Sequence, residues 1–134
     1  MIGLIQRVSE ARVEVDGEQI GAIGTGLLVL VGVVPADTEA NASRLAERLL
    51  GYRIFEDSNG RMNLSVHDIG GGVLAVPQFT LAADTRKGTR PSFSGAAAPA
   101  HAETLYETLL RKLGESGLQI GRGRFGADMQ VSLT

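Results

Sequence analysis

A chain of 134 residues fits one domain, able to bury roughly two thirds of its unfolded surface in a single core, with no room for a second. Hydrophobic residues make up 43% but aromatics only 4%, so the core is aliphatic and binding by aromatic stacking is disfavoured. The absence of cysteine excludes disulfides, thiolate catalysis and Cys-based metal sites, and a net charge of −2 argues against holding nucleic acid by a diffuse positive field.

In chain order, Met1 to Val8 reads as a strand. Arg12 to Val15, the pair Asp16-Gly17 and Ile20 to Ile23 read as a hairpin closed by a type I′ turn. Leu27 to Val34 is a continuous, Val-rich apolar run, too short for an ordinary helix, which predicts a strand buried on both faces at the sheet's centre. Asp37 is placed to cap a helix whose apolar stripe is Ala42, Leu45, Ala46, Leu49 and Leu50. Tyr52 to Phe55 and Met62 to Val66, around Asp57-Ser58-Asn59-Gly60, predict a second hairpin. Gly70 to Gly72 then introduces a strand over Val73 to Leu81.

Residues 82 to 98 lack apolar periodicity and read as a long loop, uncommon unless functional. Ala102, Leu105, Tyr106, Leu109 and Leu113 mark a second amphipathic helix, ended by Gly114 or Gly117. Met129, Val131 and Leu133 alternate as a final strand. The elements make one α+β domain, with no internal repeat and no linker. No run reaches the eighteen or so apolar residues of a membrane span, and no leader-like segment opens the chain, so the expected location is the cytosol.

Charge is unevenly spread: residues 1–83 hold six Lys/Arg against ten Asp/Glu, and residues 84–134 hold seven against five. A local anion site therefore belongs to the second half. Its candidates are Arg86, Lys87 and Arg90, around Gly88, with a smaller patch at Arg122 and Arg124, which are expected to alternate with Phe125 on a strand. On residue types alone a solvated loop is the preferred reading of so short a charge cluster, with a phosphate site as its alternative.

The best chemical candidate is Pro77-Gln78-Phe79-Thr80-Leu81, at a strand end just before the basic loop. Gln78 both donates and accepts hydrogen bonds, Thr80 supplies a hydroxyl, and main-chain N–H groups beside them are suited to stabilising an oxyanion. Pro77 cannot donate to a ladder, so either pairing stops there or the strand is an edge. Residue types alone leave a plain strand with a polar face as the alternative. Arg7, in an otherwise apolar strand, needs an acceptor if buried. His67 and His101 lack triad partners at a recognisable spacing and read as surface residues.

Seven blocks, in order, carry a resemblance that spans nearly the whole chain: Ile5-Gln6-Arg7-Val8, Gly26-Leu27-Leu28-Val29-Leu30, Gly51-Tyr52-Arg53-Ile54-Phe55, Met62-Asn63-Leu64, Gln78-Phe79-Thr80-Leu81, Arg90-Pro91-Ser92-Phe93 and Met129-Gln130-Val131. On these the sequence resembles the D-aminoacyl-tRNA deacylases. The resemblance implies a fold of mostly antiparallel sheet layers forming a barrel-like core with two amphipathic helices. It implies a homodimer with active sites at the subunit interface, acting on the aminoacylated 3′ end of tRNA. It also implies hydrolysis of D-aminoacyl and glycyl esters without a metal or other cofactor, leaning on the substrate's own ribose hydroxyl. Gln78 and Thr80 are the catalytic residues it implies, Phe79, Pro77 and Arg7 line or brace the substrate pocket, and Arg86, Lys87 and Arg90 meet the tRNA.

Two departures from the family pattern stand out. A serine is usual where this chain has Pro77, and a proline there resembles a related group of animal deacylases with altered specificity. The family also continues past the Met129 strand into a Gly-Pro motif, braced by Arg7, that excludes L-amino acids. On that comparison residues 1–134 read as a single deacylase domain without the Gly-Pro segment, either shortened or weakened in proofreading. The rival readings are a deacylase of misacylated L- or achiral aminoacyl-tRNA and a non-catalytic tRNA-binding module.

Overall fold

The computed structural model describes residues 1–134. Its first element is β1 (Ile2–Val8), followed by the hairpin of β2 (Ala11–Val15) and β3 (Glu18–Ile23). The turn between them holds Asp16 at φ 52° and Gly17 at φ 77°, the left-handed pair that a type I′ turn requires. Next come β4 (Gly26–Gly32) and α1 (Glu39–Gly51), then the short β5 (Phe55–Glu56) and β6 (Met62–Leu64), and β7 (Gly72–Pro77). A 3-10 turn (Phe79–Ala82) follows, then α2 (Pro99–Gly114), β8 (Ile120–Arg122) and β9 (Gln130–Leu133).

Three layers result. A four-stranded sheet in the order β1-β4-β7-β8 lies between the helices and a three-stranded sheet in the order β3-β2-β9. The alternation along β4 shows how one strand serves both sides. Leu27, Val29 and Val31 join Ala42, Ala46 and Leu49 of α1 and Leu109 and Leu113 of α2 in one apolar cluster, while Leu28 packs with Val8, Val13, Ile23, Leu74 and Val76 in the other. The predicted doubly buried strand is thus an interior strand of the larger sheet.

The expectation of antiparallel, barrel-like layers holds only in part. β4 pairs with β7, and β7 with β8, in parallel. Each of these pairs is separated in sequence by a helix, α1 or α2, which supplies the long crossover that parallel strands need. No hydrogen-bonded ladder joins the two large sheets into a closed barrel. They do approach closely where β3 meets β8: a Cβ on Gly21 would lie 2.4 Å from the carbonyl oxygen of Arg122.

Local predictions are corrected at three places. Thr38, not Asp37, is the N-cap of α1, in a capping box with Asn41. Asp37 is instead buried, accepting from the Val34 N–H at 2.8 Å and pairing with the Met1 amino group at 2.5 Å. The strand expected over Val73 to Leu81 stops at Pro77: the missing N–H of the proline falls on the side facing β8, where it permits no further bond, while the β4 side makes one last bond from the Gln78 N–H to the Val31 carbonyl at 2.7 Å. Finally, β8 ends at Arg122, so Arg124 and Phe125 lie in a turn rather than alternating on a strand.

Candidate functional site

β7 delivers the chain to a cavity of about 580 Å³. One wall is Val76, Pro77, Gln78 and Phe79, and the opposite wall is the loop from Phe125 to Met129. Parallel pairing of β7 with β8 brings these walls together, since Ala75 is in register with Arg122. Contact at the junction is tight. A Cβ on Gly123 would lie 2.7 Å from Met129 Sδ and 3.1 Å from Pro77 Cδ, so only glycine lets the loop seat on the proline ring.

Behind the cavity the carbonyl of Ala75 takes two hydrogen bonds, from the buried Tyr106 hydroxyl at 2.7 Å and from the Gly123 N–H at 3.0 Å. Tyr106 packs against Phe125 with ring centroids 6.4 Å apart, and the Arg122 guanidinium lies 5.8 Å above its ring. Burial pushes the Tyr106 phenol up to about 12, against the opposing pull of the Arg122 charge and the Gly123 N–H. Arg122 is itself gripped by both carboxylate oxygens of Glu107, which holds the Glu107 carboxyl below its ordinary range. This network ties α2, β7 and the 123–129 loop into one rigid back wall.

At the mouth, Gln78 donates its N–H to the Val31 carbonyl at 2.7 Å, and its side-chain amide donates to the Thr80 hydroxyl. The turn's own bonds run from the Leu81 N–H to Gln78 and from the Ala83 N–H to Thr80. The N–H groups of Phe79 and Thr80 are therefore the unsatisfied first donors of that turn. Phe79 is 56% exposed and meets Phe93 edge-on at 5.2 Å, which anchors the long loop to the cavity rim.

The predicted residues are gathered unevenly. Pro77, Gln78 and Phe79 line the cavity, whereas Thr80 is not a lining residue and is tied to the wall by the hydrogen bond its hydroxyl accepts from Gln78. Arg7 is not a lining residue: it is exposed, and its guanidinium donates to the Ile54 carbonyl at 2.7 Å. Arg86, Lys87 and Arg90 share an exposed excursion closed by the paired backbones of Asp84 and Ser92. There Arg86 is held bidentately by Asp84, at 2.9 and 2.6 Å, which lowers the Asp84 carboxyl and leaves Lys87 and Arg90 as the cations without an ion-pair partner. No three His, Asp or Glu side chains converge to ligate a metal ion.

The family described as D-Tyr-tRNA(Tyr) deacylase matches residues 4–134. The chain belongs to the D-Tyr-tRNA(Tyr) deacylase family. It is 63% identical over 133 residues to the D-aminoacyl-tRNA deacylase of Alkalilimnicola ehrlichii, covering 99% of this chain and 89% of that protein. A solved structure of a c-Myc DNA unwinding element binding protein is 39% identical, with a TM-score of 0.92, covering 98% of this chain and 90% of its own. A probable eukaryotic D-amino acid tRNA deacylase shares the fold, with a TM-score of 0.85 at 16% identity, over 98% of this chain and 92% of its own.

Within this deacylase-family chain, sequence reasoning missed the second wall. Phe125, Asp128 and Met129 carried signals only for a turn and a strand, and nothing local marks them as neighbours of Gln78. Tyr106 was legible as a core helix residue, but its hydroxyl's tie to Ala75 depends on the parallel crossover.

Proposed function

We propose that this protein hydrolyses the ester joining a D-amino acid to the 3′ end of tRNA, and that the cavity at the end of β7 is where the ester is cleaved. The observation that carries the reading is the placement of Gln78 and Phe79 on the cavity wall, in a chain of this family. Gln78 holds the ester group, and the free N–H groups of Phe79 and Thr80 receive the oxyanion that forms as the carbonyl is attacked. Thr80 orients the Gln78 amide by accepting its hydrogen bond. Catalysis on this account is positioning and electrostatic stabilisation, with no side-chain nucleophile. Lys87 and Arg90, on the loop that Phe93 anchors to the rim, meet the phosphates of the tRNA end, and Arg86 stiffens that loop through Asp84.

A homodimer with sites at the subunit interface is part of the proposal. β1 is an edge strand of the four-stranded sheet and exposes Ile2 at 37% and Leu4 at 53%. Ile2 is paired with Gly32, and a Cβ on Gly32 would touch the Leu81 side chain at 3.0 Å, so this apolar face runs on into the turn that carries Phe79. An uncovered apolar edge of this kind invites association, and a partner seated on it would adjoin the cavity.

The test of the site is Thr80→Ala against Thr80→Ser. Losing the hydroxyl should lower turnover about tenfold, the worth of the one hydrogen bond that orients the Gln78 amide, while tRNA affinity stays level. Serine should restore turnover. Wild-type turnover in Thr80→Ala would remove the Thr80 hydroxyl and its contact with the Gln78 amide from the mechanism.

A further inference from the structure

We infer that the amino group of Met1 is a modification-sensitive site: folding needs it as a free ammonium, and an acyl group on it, formyl or acetyl, is incompatible with the closed fold. That ammonium meets Asp37 Oδ1 at 2.5 Å, with the Met1 and Asp37 side chains only 1% and 5% exposed. In the other four ion pairs every side chain is at least 31% exposed. Asp37 is not free to turn towards water instead. Its Oδ2 accepts from the Val34 N–H at 2.8 Å, its own N–H donates to the Val34 carbonyl at 3.0 Å, and its carbonyl accepts from His101 Nε2 at 2.9 Å. Met1 is held as firmly, since its side chain packs against the cluster of Val33, Ala97, Ala102 and Leu105, and Ile2 enters the ladder with β4 opposite Gly32.

Removing one partner from a buried pair costs far more than losing a surface pair, because the charge left behind stays out of water without compensation. Acylation does this to Asp37. The amine becomes a neutral amide with one N–H, and the added carbonyl oxygen brings another acceptor against the carboxylate. The amine is enclosed once the start of β1 closes on the entry to α1, so the acyl group has to leave beforehand. For a formyl group that step is a hydrolysis with water as co-reactant: water adds to the formyl carbon, the C–N bond breaks, formate leaves, and the amine takes up the proton that formic acid gives up. Val33, Ala97 and Ala102 also line the cavity at the end of β7, so the state of this amine is felt there as well.

The test uses full-length chains with the Met1 amine free or still formylated, the latter made while deformylation is inhibited in the expressing cells, and each state is confirmed by intact mass. Wild type and Asp37→Asn are prepared in both forms and unfolded in urea at neutral pH. Formylation should lower the folded-to-unfolded ratio of wild type by about a hundred- to a thousandfold, the cost of taking one partner from a buried ion pair, and that of Asp37→Asn by less than about threefold. A formylated wild type recovered only unfolded, beside a formylated Asp37→Asn that folds, supports the inference equally. Equal stability of the free and formylated wild-type chains would overturn it, whatever the variant does. So would a formylation penalty as large in Asp37→Asn as in wild type, since the injury is then crowding and not the lost charge. If Asp37→Asn folds in neither form, the wild-type pair alone decides.

Discussion

Replacing Tyr106 by Phe removes one oxygen from the back wall and leaves the ring's packing in place. The lost bond is buried, but its acceptor is not orphaned, because the Ala75 carbonyl keeps the Gly123 N–H. The cost at neutral pH should therefore be that of an ordinary hydrogen bond, about 1 kcal/mol. At alkaline pH the sign changes. A phenol raised from 10.0 to about 12 by burial stays protonated in the folded chain while it ionises in the unfolded one. Stability from that phenol is complete below pH 10 and drains away as pH rises towards 12, by about 2.7 kcal/mol in all at 1.36 kcal/mol per tenfold. The wild-type advantage should vanish near about pH 11 and reverse above it. Urea unfolding of both proteins at one fixed concentration, from pH 8 to 12, measures the difference and cancels the other titrating groups. A difference that does not change between pH 9 and 11.5 would refute the burial of this hydroxyl and the wall built on it.

Gly123→Ala forces a methyl group against Met129 Sδ and the Pro77 ring, and overpacking of this kind costs about 1–3 kcal/mol; a matching fall in thermal stability, with weaker binding of the non-hydrolysable D-tyrosyl amide of 3′-amino-3′-deoxyadenosine, is the expected result. Glu107→Gln releases Arg122 from its bidentate carboxylate. Since Arg122 lowers the Glu107 carboxyl, the stability this pair gives is present above about pH 4.5 and is lost as pH falls further, so acid unfolding curves of wild type and Glu107→Gln should converge at low pH. Leu4→Asp, on the exposed face of β1, should turn a sedimenting dimer into a monomer and lower ester cleavage with it.

Where a local rule acted alone, the sequence was legible. Asp16-Gly17 dictated its turn through the left-handed conformations both residues adopt, and the run from Leu27 had only one environment, an interior strand, in which every side chain could be buried. Gln78 to Leu81 misled for a physical reason. Phe79 and Thr80 have high strand propensity and Leu81 continues the apolar run of β7, but Pro77 offers no N–H on the side facing β8, and pairing with β4 ends one residue later at Gln78. The chain folds back into a 3-10 turn there, and that reversal is what frees the Phe79 and Thr80 N–H groups. The opposite wall was hidden because it rests on β7 meeting β8 across the α2 crossover, a pairing that no short-range pattern encodes. Family resemblance supplied Gln78, Phe79 and Thr80 as expected site residues; geometry added that the Thr80 hydroxyl accepts from the Gln78 amide and that Arg86 is already committed to Asp84.

The most direct test of the central claim is ester loss from D-tyrosyl-tRNA and L-tyrosyl-tRNA, each incubated with the purified protein and compared with a control lacking it. The account predicts rapid loss of the D ester at substoichiometric protein, and decay of the L ester against its control measures how much chiral selectivity residues 1–134 retain. Decay of the D ester no faster than the control would contradict it.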